Sequence, residues 1–360
     1  MKVIITAPSL NSAHNVGGIS SVTQFIISNN PTVDYIHFEL GKRDNEKRNI
    51  IRIFKLIKDW FKWINCLKHN KDAVIHYNFA LSKPSILRDP LFFFPAYWMN
   101  RHVIIHVHGG IFLTAPHIPQ PFCWILNKVF CHPFSFIVLS EQEKKTIKQK
   151  FQARYITVLP NCIDLKDAEL FARKEPHENK PITIGYIGRI ASTKGMDYLL
   201  KACVTLKEQN IPFSLKLAGS EEIHNQYIPQ FKSILNEQFE YCGIVSGSSK
   251  TEFLKTIDVF VLPSFFEGLP MSLLECMSYG IVPITTNVGS ISEYVQDGQN
   301  GIFIKVKDSQ TIVEAILKLV RNKKLISEYG NQAKATVFSR LSPGMYIDNL
   351  NKLYQGSPAI

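Results

Sequence analysis

Hydrophobic positions in the first half of the chain fall into short runs separated by longer amphipathic stretches. The runs are apolar and often β-branched, which is typical of buried parallel strands. The candidate strands are residues 3–6, 73–76, 102–107 and 136–139. Helical patterns lie between them, and this alternation predicts a doubly wound α/β sheet.

A second series of apolar runs follows a polar, proline-interrupted stretch at residues 166–180, which we interpret as a linker. Its candidate strands are residues 182–187, 215–219, 259–262, 282–285 and 301–304. The pattern therefore predicts two Rossmann-like domains facing each other across a cleft. We assign residues 1–165 to the first and 181–343 to the second, and consider 344–360 as the source of the last helix of the first domain.

Residues 48–67 predict a long amphipathic helix. Its apolar stripe consists of Ile50, Ile53, Phe54, Ile57, Phe61 and Ile64, with Trp60 and Trp63 beside it. The opposite face is basic and carries Arg48, Arg52, Lys55, Lys58 and Lys62. The simpler interpretation buries the stripe in the core and leaves the basic face in solvent. The alternative is contact with an anionic membrane surface.

Positive charge is concentrated in the first half of the chain. Residues 1–165 have 20 Lys+Arg and 10 Asp+Glu, which leaves 21 and 20 of the totals of 41 and 30 for residues 166–360. This asymmetry indicates an anionic partner for the first half. No helix-turn-helix, RNA-recognition or zinc pattern accompanies the charge, so a nucleic-acid partner is not favoured.

The seven cysteines are odd in number and include no Cys-x-x-Cys pair, so neither a disulfide framework nor a zinc site is indicated. The first apolar run is too short for a secretory signal, and the longest uncharged apolar run, residues 90–99, is too short to span a bilayer as a helix. We expect a cytoplasmic protein, with peripheral contact to the inner face of the cytoplasmic membrane as a further expectation.

Two adjacent glycines, Gly17 and Gly18, stand between the first predicted strand and a helix. Glycines here let the backbone approach a ligand, and a helix N-terminus offers N–H groups to a phosphate. The spacing is neither Gly-x-Gly-x-x-Gly nor a P-loop. A plain tight turn explains the pair as well as an anion site does.

A second glycine-flanked loop, residues 188–195, follows the strand predicted at 182–187 and carries Arg189 and Lys194. Ligands of open α/β sheets bind at the carboxyl ends of strands. Arg supplies a fork of donors and Lys a compact charge, so the two together suit a diphosphate. A solvated basic loop is the alternative.

Two glutamates, Glu267 and Glu275, frame the start of a predicted helix at Pro270. The helix-start amides suit a phosphate, and carboxylates on either side of it accept hydrogen bonds from hydroxyl groups of a sugar or ribose. The alternative has Glu267 interacting with the helix dipole and Glu275 exposed. Apolar neighbours of Glu275 argue against that alternative.

This segment resembles the Glu-x7-Glu signature of glycosyltransferase family 4, retaining enzymes with the GT-B architecture. Four further stretches are similar to family motifs in the same order, so the resemblance covers nearly the whole chain. They are Gly17-Gly18, Val107-His108-Gly109-Gly110, Pro160-Asn161-Cys162-Ile163-Asp164 and the loop from Gly188-Arg189 to Lys194-Gly195. Cys162 departs from the usual glycine of the third motif.

The resemblance implies roles for these residues. Arg189 and Lys194 would neutralise the donor diphosphate, Glu267 would contact the donor sugar, and Glu275 would hold the ribose. Further donor contacts would come from Gly17, Gly18, Gly219, Val245, Gly268, Leu269, Pro270, Met271 and Ser272. Val245 aligns with a segment that contacts the base.

The chain has no Asp-x-Asp sequence, so we expect no metal and no other cofactor: cations and a helix N-terminus replace the divalent ion. The resemblance implies retention at the anomeric carbon, by front-face attack with the leaving phosphate helping to deprotonate the acceptor. His108 ends a strand before two glycines and is the expected first-domain residue near the donor sugar. A structural role is the alternative for His108 and for His106, which would point to the same side.

The sequence therefore predicts a metal-independent hexosyltransferase. It would move a hexose or N-acetylhexosamine from a nucleotide-sugar, UDP-linked by expectation, to a saccharide or lipid-linked saccharide in polysaccharide or glycolipid synthesis. A GT-B nucleotide-sugar epimerase and an inactive nucleotide-sugar-binding protein remain the alternatives.

Overall fold

The computed structural model describes residues 1–43, 46, 51–115, 117–175 and 180–356. The chain divides into two compact units. The first comprises Met1–Asn161 and Pro343–Ile360, and the second comprises Cys162–Ser342.

Each unit contains a six-stranded sheet in which all paired neighbours run parallel. The first sheet has the order β2-β1-β3-β4-β5-β6 and the second β12-β11-β10-β7-β8-β9. The strands of the first are β1 (Lys2–Ala7), β2 (Asp34–Glu39), β3 (Val74–Phe79), β4 (Val103–Val107), β5 (Ser135–Val138) and β6 (Tyr155–Val158). Those of the second are β7 (Ile182–Ile187), β8 (Phe213–Ala218), β9 (Phe239–Tyr241), β10 (Val259–Leu262), β11 (Val282–Thr286) and β12 (Ile302–Ile304).

All nine predicted strands are found, and three further strands were not predicted. The three are β2, β6 and β9, which lie at sheet edges. Their residues are half-buried or exposed, whereas the central strands are buried along most of their length. An edge strand that faces solvent needs no continuous apolar run, so the pattern that revealed the others is absent.

Helices cover both sheets. They are α1 (Gly18–Asn29), α2 (Ile51–His69), α3 (Lys83–Arg88), α4 (Pro90–Trp98), α5 (Ile111–Thr114), α6 (Phe122–Phe130), α7 (Glu141–Phe151), α8 (Lys166–Glu169), α9 (Met196–Glu208), α10 (Ile228–Leu235), α11 (Gly247–Thr256), α12 (Met271–Ser278), α13 (Ser309–Arg321), α14 (Lys324–Arg340) and α15 (Pro343–Tyr354). The C-terminal helix α15 belongs to the first unit, where the Tyr354 hydroxyl lies 2.7 Å from Nδ1 of His76.

The stretch interpreted as a linker is different in the structure. Residues 166–175 belong to the second unit and include α8, while 176–179 lie outside the described residues. The side chain of Arg173 holds the stretch in place by donating hydrogen bonds to three carbonyls, those of Leu254, Ile257 and Tyr279. These bonds satisfy backbone oxygens at the ends of α11 and α12.

Helix α2 forms as expected, but its apolar stripe is not buried as the simpler interpretation required. Trp63 and Leu67 face the core at 0% exposure, and Ile64 is half-buried. The rest of the described stripe faces outward: Ile53 is 60%, Phe54 69%, Ile57 50% and Phe61 64% exposed. The predicted positions Arg48 and Ile50 lie outside the described residues. Within the described parts of the chain, no helix combines the length and apolarity needed to cross a bilayer.

Candidate functional site

The predicted residues of the second unit collect at the carboxyl edge of its sheet. Arg189 and Lys194 follow β7, Gly219 follows β8, Val245 follows β9, and Glu267 follows β10. Parallel strands place the loops after their carboxyl ends along one edge. Sequence reasoning located these loops because each immediately follows a buried apolar run, or, for β9, because the resemblance covers it.

Close backbone packing fixes the loops after β7 and β8. Gly219 has φ +135°, and a Cβ added to it would collide with the carbonyl oxygen of Gly188. Its N–H donates to the carbonyl of Gly243 at 2.7 Å, which ties the loop containing Val245 to the same edge. Val245 itself is half-buried. Glycine at 219 is therefore required by the packing of the loops.

The loop after β7 carries two cations and turns sharply at Gly195, which has φ +78°. A Cβ at Gly195 would collide with the Pro263 carbonyl, so this loop packs directly on the one after β10. Tyr186, buried in β7, donates to the Arg189 carbonyl at 2.5 Å. Burial raises the pKa of Tyr186, and the nearby charge of Glu267 raises it further. Tyr186 thus remains a neutral donor that anchors the Arg189 backbone.

Lys194 and Glu267 form an ion pair, with 2.5 Å between Nζ and Oε1. The Glu267 side chain is only 10% exposed and that of Lys194 is 27% exposed. A carboxylate with so little solvent needs hydrogen-bonding partners, and the second oxygen of Glu267 retains lone pairs for another donor. The pair joins the proposed sugar contact directly to the proposed phosphate contact.

The loop after β11 packs against the backbone at Glu267. Gly289 has φ +61°, and a Cβ there would collide with the carbonyls of Glu267 and Gly268. The N–H of Ser290 donates to the Gly268 carbonyl at 2.9 Å. Only a glycine at 289 allows this approach.

Helix α12 begins one residue after Pro270, which is its N-cap with φ −66°. The side chains of Leu269 and Met271 are buried, whereas Ser272 is half-buried. The N–H groups of a helix's first turn have no acceptor within the helix and carry the positive end of its dipole. This end of α12 is therefore suited to an anion, immediately beside Glu267.

Glu275 lies on α12 and is 17% exposed, so it is not the exposed residue of the alternative interpretation. Its Oε1 is 2.6 Å from Nζ of Lys250 on α11. Burial lowers the pKa of Lys250, but the charge and hydrogen bond of Glu275 outweigh this and raise it above the ordinary value. Lys250 holds one carboxylate oxygen and leaves the other for a hydroxyl donor.

In the first unit, Gly17 caps α1 and Gly18 begins it. Neither has a positive φ, and a Cβ at Gly18 would meet nothing within 4 Å. Asn15 is buried and organises the turn: its Oδ1 accepts from the Gly17 N–H at 2.7 Å and from the Ser20 hydroxyl at 3.2 Å. The space beside Gly18 agrees with a surface that admits a ligand, although it assigns none.

His108 follows β4, and its Nε2 is 2.6 Å from Oδ1 of Asn78. The Nδ2 of Asn78 donates to the Thr6 carbonyl at 2.7 Å and to the Thr23 hydroxyl at 3.1 Å, so Oδ1 can only accept. His108 must therefore carry its proton on Nε2 and present an unprotonated Nδ1. Burial lowers its pKa to about 3, with a smaller contribution from His76, so the ring is neutral at physiological pH.

His106 lies on the same side of the sheet as His108, as predicted, with 4.1 Å between the ring centroids. It is fully buried and its Nδ1 is 3.2 Å from Nε2 of His76, which places it in the core rather than in a binding position. Burial and the neighbouring histidines lower the pKa of His106 well below its ordinary value.

Three residues that contact predicted positions were not themselves predicted: Lys250 and Gly289 in the second unit, and Asn78 in the first. Each acts on a predicted residue from a distant part of the sequence; Lys250, for example, is 25 residues from Glu275. Gly289 follows β11 in an Asn-Val-Gly-Ser stretch, and such a glycine at a strand end could have been suspected. No local signal marks Lys250 or Asn78.

The chain is similar in sequence to known glycosyltransferases. Residues 167–336 match the model of the family described as glycosyl transferases group 1. The capsular polysaccharide biosynthesis glycosyltransferase CapM of Staphylococcus aureus is 26% identical over 336 residues, 88% of this chain and 87% of CapM. The UDP-Gal:alpha-D-GlcNAc-diphosphoundecaprenol alpha-1,3-galactosyltransferase of Escherichia coli is 24% identical over 265 residues, covering 70% and 68% of the two chains.

A solved structure shows the same fold over the whole length. Anabaena Alr3699/HepE in complex with UDP-glucose superposes with a TM-score of 0.74 at 14% identity, covering 99% of this chain and 100% of HepE. This likeness concerns the fold alone. The two six-stranded sheets, each built of parallel strands and flanked by helices, confirm the predicted GT-B fold. Beyond the fold, the match of residues 167–336 and the similarity to CapM relate the second unit to the group 1 glycosyl transferases.

Proposed function

We propose that this protein is a retaining, metal-independent glycosyltransferase of family 4 that transfers a hexose or N-acetylhexosamine from a UDP-sugar. The acceptor is a saccharide or a lipid-linked saccharide in polysaccharide or glycolipid synthesis. The observation that carries the proposal is the arrangement around α12, where the pairs Lys194–Glu267 and Lys250–Glu275 accompany the start and the body of one helix. Such an arrangement offers cations, amides and hydroxyl acceptors to one elongated anion.

The diphosphate is the group that needs neutralising. Arg189 and Lys194 supply positive charge, and the first turn of α12 supplies N–H donors from Met271 and Ser272. Gly268, Leu269 and Pro270 lead the chain into that turn. Because these groups are held in place before the reaction, they stabilise the charge that develops on the departing diphosphate, with no metal required.

The two carboxylates recognise the two sugars of the donor. Glu267 accepts hydrogen bonds from hydroxyls of the transferred sugar, and Glu275 from those of the ribose, each through the oxygen that its lysine leaves available. Val245 and Gly219 contact the base and the nucleotide. In the first unit, Gly17 and Gly18 contact the diphosphate, and His108 the donor sugar.

The chemical step is an exchange of one bond at the anomeric carbon. The acceptor oxygen forms a bond to this carbon on the face from which the phosphate oxygen departs, so the configuration is retained. The acceptor proton passes to the leaving phosphate. The principal contribution of the protein is to stabilise the leaving group and to orient the sugar.

The relatives support the choice of substrates. The E. coli relative is named for a UDP-galactose donor and a diphosphoundecaprenol-linked acceptor. CapM is named for capsular polysaccharide synthesis, and HepE was solved with UDP-glucose. A lipid-linked acceptor would place the protein at the inner face of the cytoplasmic membrane as a peripheral enzyme. All seven cysteines are free thiols, which agrees with a reducing compartment.

The donor can be tested by titrating the protein with UDP, GDP and CMP in the presence of EDTA. We expect UDP to bind, and Arg189→Ala and Glu275→Ala each to weaken it about tenfold or more, the effect of one lost charge-assisted hydrogen bond. Exposed Lys232→Ala on α10 is the control. Tighter binding of GDP than of UDP would indicate a GDP-sugar donor instead. Absence of binding by all three nucleotides, or binding that ignores both substitutions, would contradict the assigned donor site.

Catalysis is then tested with UDP-sugars and a diphosphoundecaprenol-linked saccharide. The expected product carries the new sugar in the same anomeric configuration as the donor. Conversion of the UDP-sugar to its epimer without any acceptor would instead identify an epimerase.

A further inference from the structure

The outward face of α2 is a continuous apolar surface that no part of the described chain covers. It consists of Ile53, Phe54, Ile57 and Phe61, each at least half exposed, and we call it the α2 apolar face. Four large apolar side chains at helical spacing are costly to expose together, whereas isolated exposed residues are ordinary. On the opposite side of the helix, Trp63 and Leu67 are fully buried, so the face cannot be turned inward without unpacking the core.

Trp60 links the α2 apolar face to α4. Its Nε1 donates to the Leu91 carbonyl at 3.0 Å, and its ring centroid lies 5.2 Å from that of Phe61. Leu91 is 55% exposed, so apolar surface continues onto α4. Tryptophan at the border of an apolar surface is enriched in proteins that contact the membrane–water interface.

Positive charge borders this surface. Helix α2 carries Arg52, Lys55, Lys58, Lys62 and Lys68, against the single acidic residue Asp59. Lys58 and Lys62 are exposed and lie one position after Ile57 and Phe61, at the edge of the α2 apolar face. Long lysine side chains can lie along apolar surface while their ammonium groups reach headgroup phosphates.

We propose that the α2 apolar face inserts into the surface of an anionic lipid bilayer, with Lys58 and Lys62 contacting the headgroups. A second copy of the chain fits less well, because a two-fold interface through this face would bring two basic helices together. An anionic bilayer instead satisfies both the apolar and the basic part of the helix. The inference deepens the proposed function, on which its purpose rests: it names the surface that brings the enzyme to a lipid-linked acceptor.

The test is flotation of the full-length protein with vesicles. One set is phosphatidylcholine alone, and the other contains about one third phosphatidylglycerol to supply surface charge. We expect binding to the anionic vesicles and retention of part of it in about 1 M KCl, where the Debye length is about 3 Å and electrostatic attraction is screened. The retained part measures apolar insertion.

Substitutions separate the two contributions. Ile57→Ser with Phe61→Ser should lower partitioning about 10- to 100-fold and remove the salt-resistant part. Lys58→Gln with Lys62→Gln should lower binding at low salt and leave the salt-resistant part. The matched control is Leu170→Ser with Ile223→Ser, two substitutions at exposed apolar positions of the second unit, which should bind as the wild type does.

Three outcomes would overturn the proposal. They are no flotation of the wild type, flotation of the Ile57/Phe61 variant at the wild-type level, and a concentration-dependent dimer in light scattering that the same variant abolishes. UDP binding, measured on every variant, reports folding and the donor site separately. A protein that binds UDP but not vesicles would refute this surface and leave the proposed donor chemistry intact. A protein that floats with vesicles but does not bind UDP would support this surface and refute the proposed donor chemistry.

Discussion

Nζ of Lys194 and Oε1 of Glu267 are 2.5 Å apart, although the two residues are 73 positions apart in the chain. The contact joins the loops after β7 and β10, neighbouring strands of the second sheet. It couples a cation suited to a phosphate with a carboxylate suited to a sugar hydroxyl. A substitution at one member of the pair therefore alters the environment of the other.

This pair predicts different kinetic effects for its two members. Glu267→Gln preserves shape and removes the charge, so we expect transfer to fall about 100-fold or more while UDP binding changes little. Lys194→Met should weaken UDP binding itself. Calorimetry with UDP and initial rates of transfer separate the effects, with Lys232→Met on exposed α10 as the control. Wild-type transfer by Glu267→Gln would contradict the assigned role.

Lys250 is predicted to hold Glu275 in place. Lys250→Met leaves a carboxylate that is 17% exposed without its partner, so we expect a loss of about 1–3 kcal/mol in unfolding free energy, discounted for the remaining exposure. UDP binding should weaken with it, and Lys250→Arg should restore part of both. Denaturant titrations and calorimetry make the measurement.

The matched control for this substitution is Lys255→Met. Lys255 is on the same helix and pairs with Glu252 at 2.9 Å in an exposed position. Surface pairs of this kind contribute little, so we expect no measurable change. Equal effects at the two lysines would mean that Lys250 has no special relation to the site.

Gly289 is predicted to be required for the backbone at Glu267. Gly289→Ala adds a Cβ that collides with the Glu267 and Gly268 carbonyls, so activity should fall more than stability does as the loop shifts. Gly298→Ala is the control. It has a similar φ, +69° against +61°, but a Cβ there would meet only the Tyr329 hydroxyl at 4.0 Å. It therefore measures the backbone strain alone, of order 1 kcal/mol. Transfer rates and melting temperatures are measured on both variants, and we expect the two variants to differ mainly in transfer rate.

Asn78 is predicted to select the tautomer of His108. In the wild type, the ¹⁵N resonances of the His108 ring should show a protonated Nε2 and an unprotonated Nδ1, because Oδ1 of Asn78 can only accept. Asn78→Ala should give a mixture of tautomers and lower kcat more than it raises KM. Thr23→Val removes a different contact of Asn78 and should leave the tautomer unchanged. An unchanged His108 spectrum in Asn78→Ala would disprove the assignment.

The buried histidines predict a loss of stability in acid. Burial lowers the pKa of His76 and of His108 to about 3, and that of His106 well below its ordinary value. The unfolded chain takes up protons on these rings below about pH 6.5, whereas the folded chain does not. The contribution of these histidines to the free energy of unfolding is therefore fully present above about pH 6.5 and is lost progressively toward pH 3.

This dependence is measured by melting temperatures between pH 7.5 and 4.5, a span of about three units around the pKa of histidine in the unfolded chain. His76→Gln should make the decrease shallower, even if it lowers the melting temperature at neutral pH through the lost contact with Tyr354. His224→Gln, at an exposed position of the second unit, should leave the slope unchanged. Equal slopes in wild type and His76→Gln would count against the prediction.

Local pattern was sufficient for most of the architecture. The central strands are buried on both faces, so each appears as a continuous apolar run, and the loops that follow them could be located directly. The spacing from Glu267 to Glu275 and the cations of the loop at 188–195 indicated the candidate site for the same reason: each motif lies within one short segment. The edge strands β2, β6 and β9 lack such a run because solvent covers part of their residues.

Tertiary structure decided the features that depend on contacts between distant segments. The periodicity of α2 specifies a helix, but packing against α4 through Trp60 and Trp63 determines that the α2 apolar face points outward. In the same way, Lys250, Gly289 and Asn78 meet Glu275, Glu267 and His108 because sheet order brings their loops and helices together. A sequence pattern records the environment each residue needs. Which distant residue provides that environment is determined by the packing of the strands and helices.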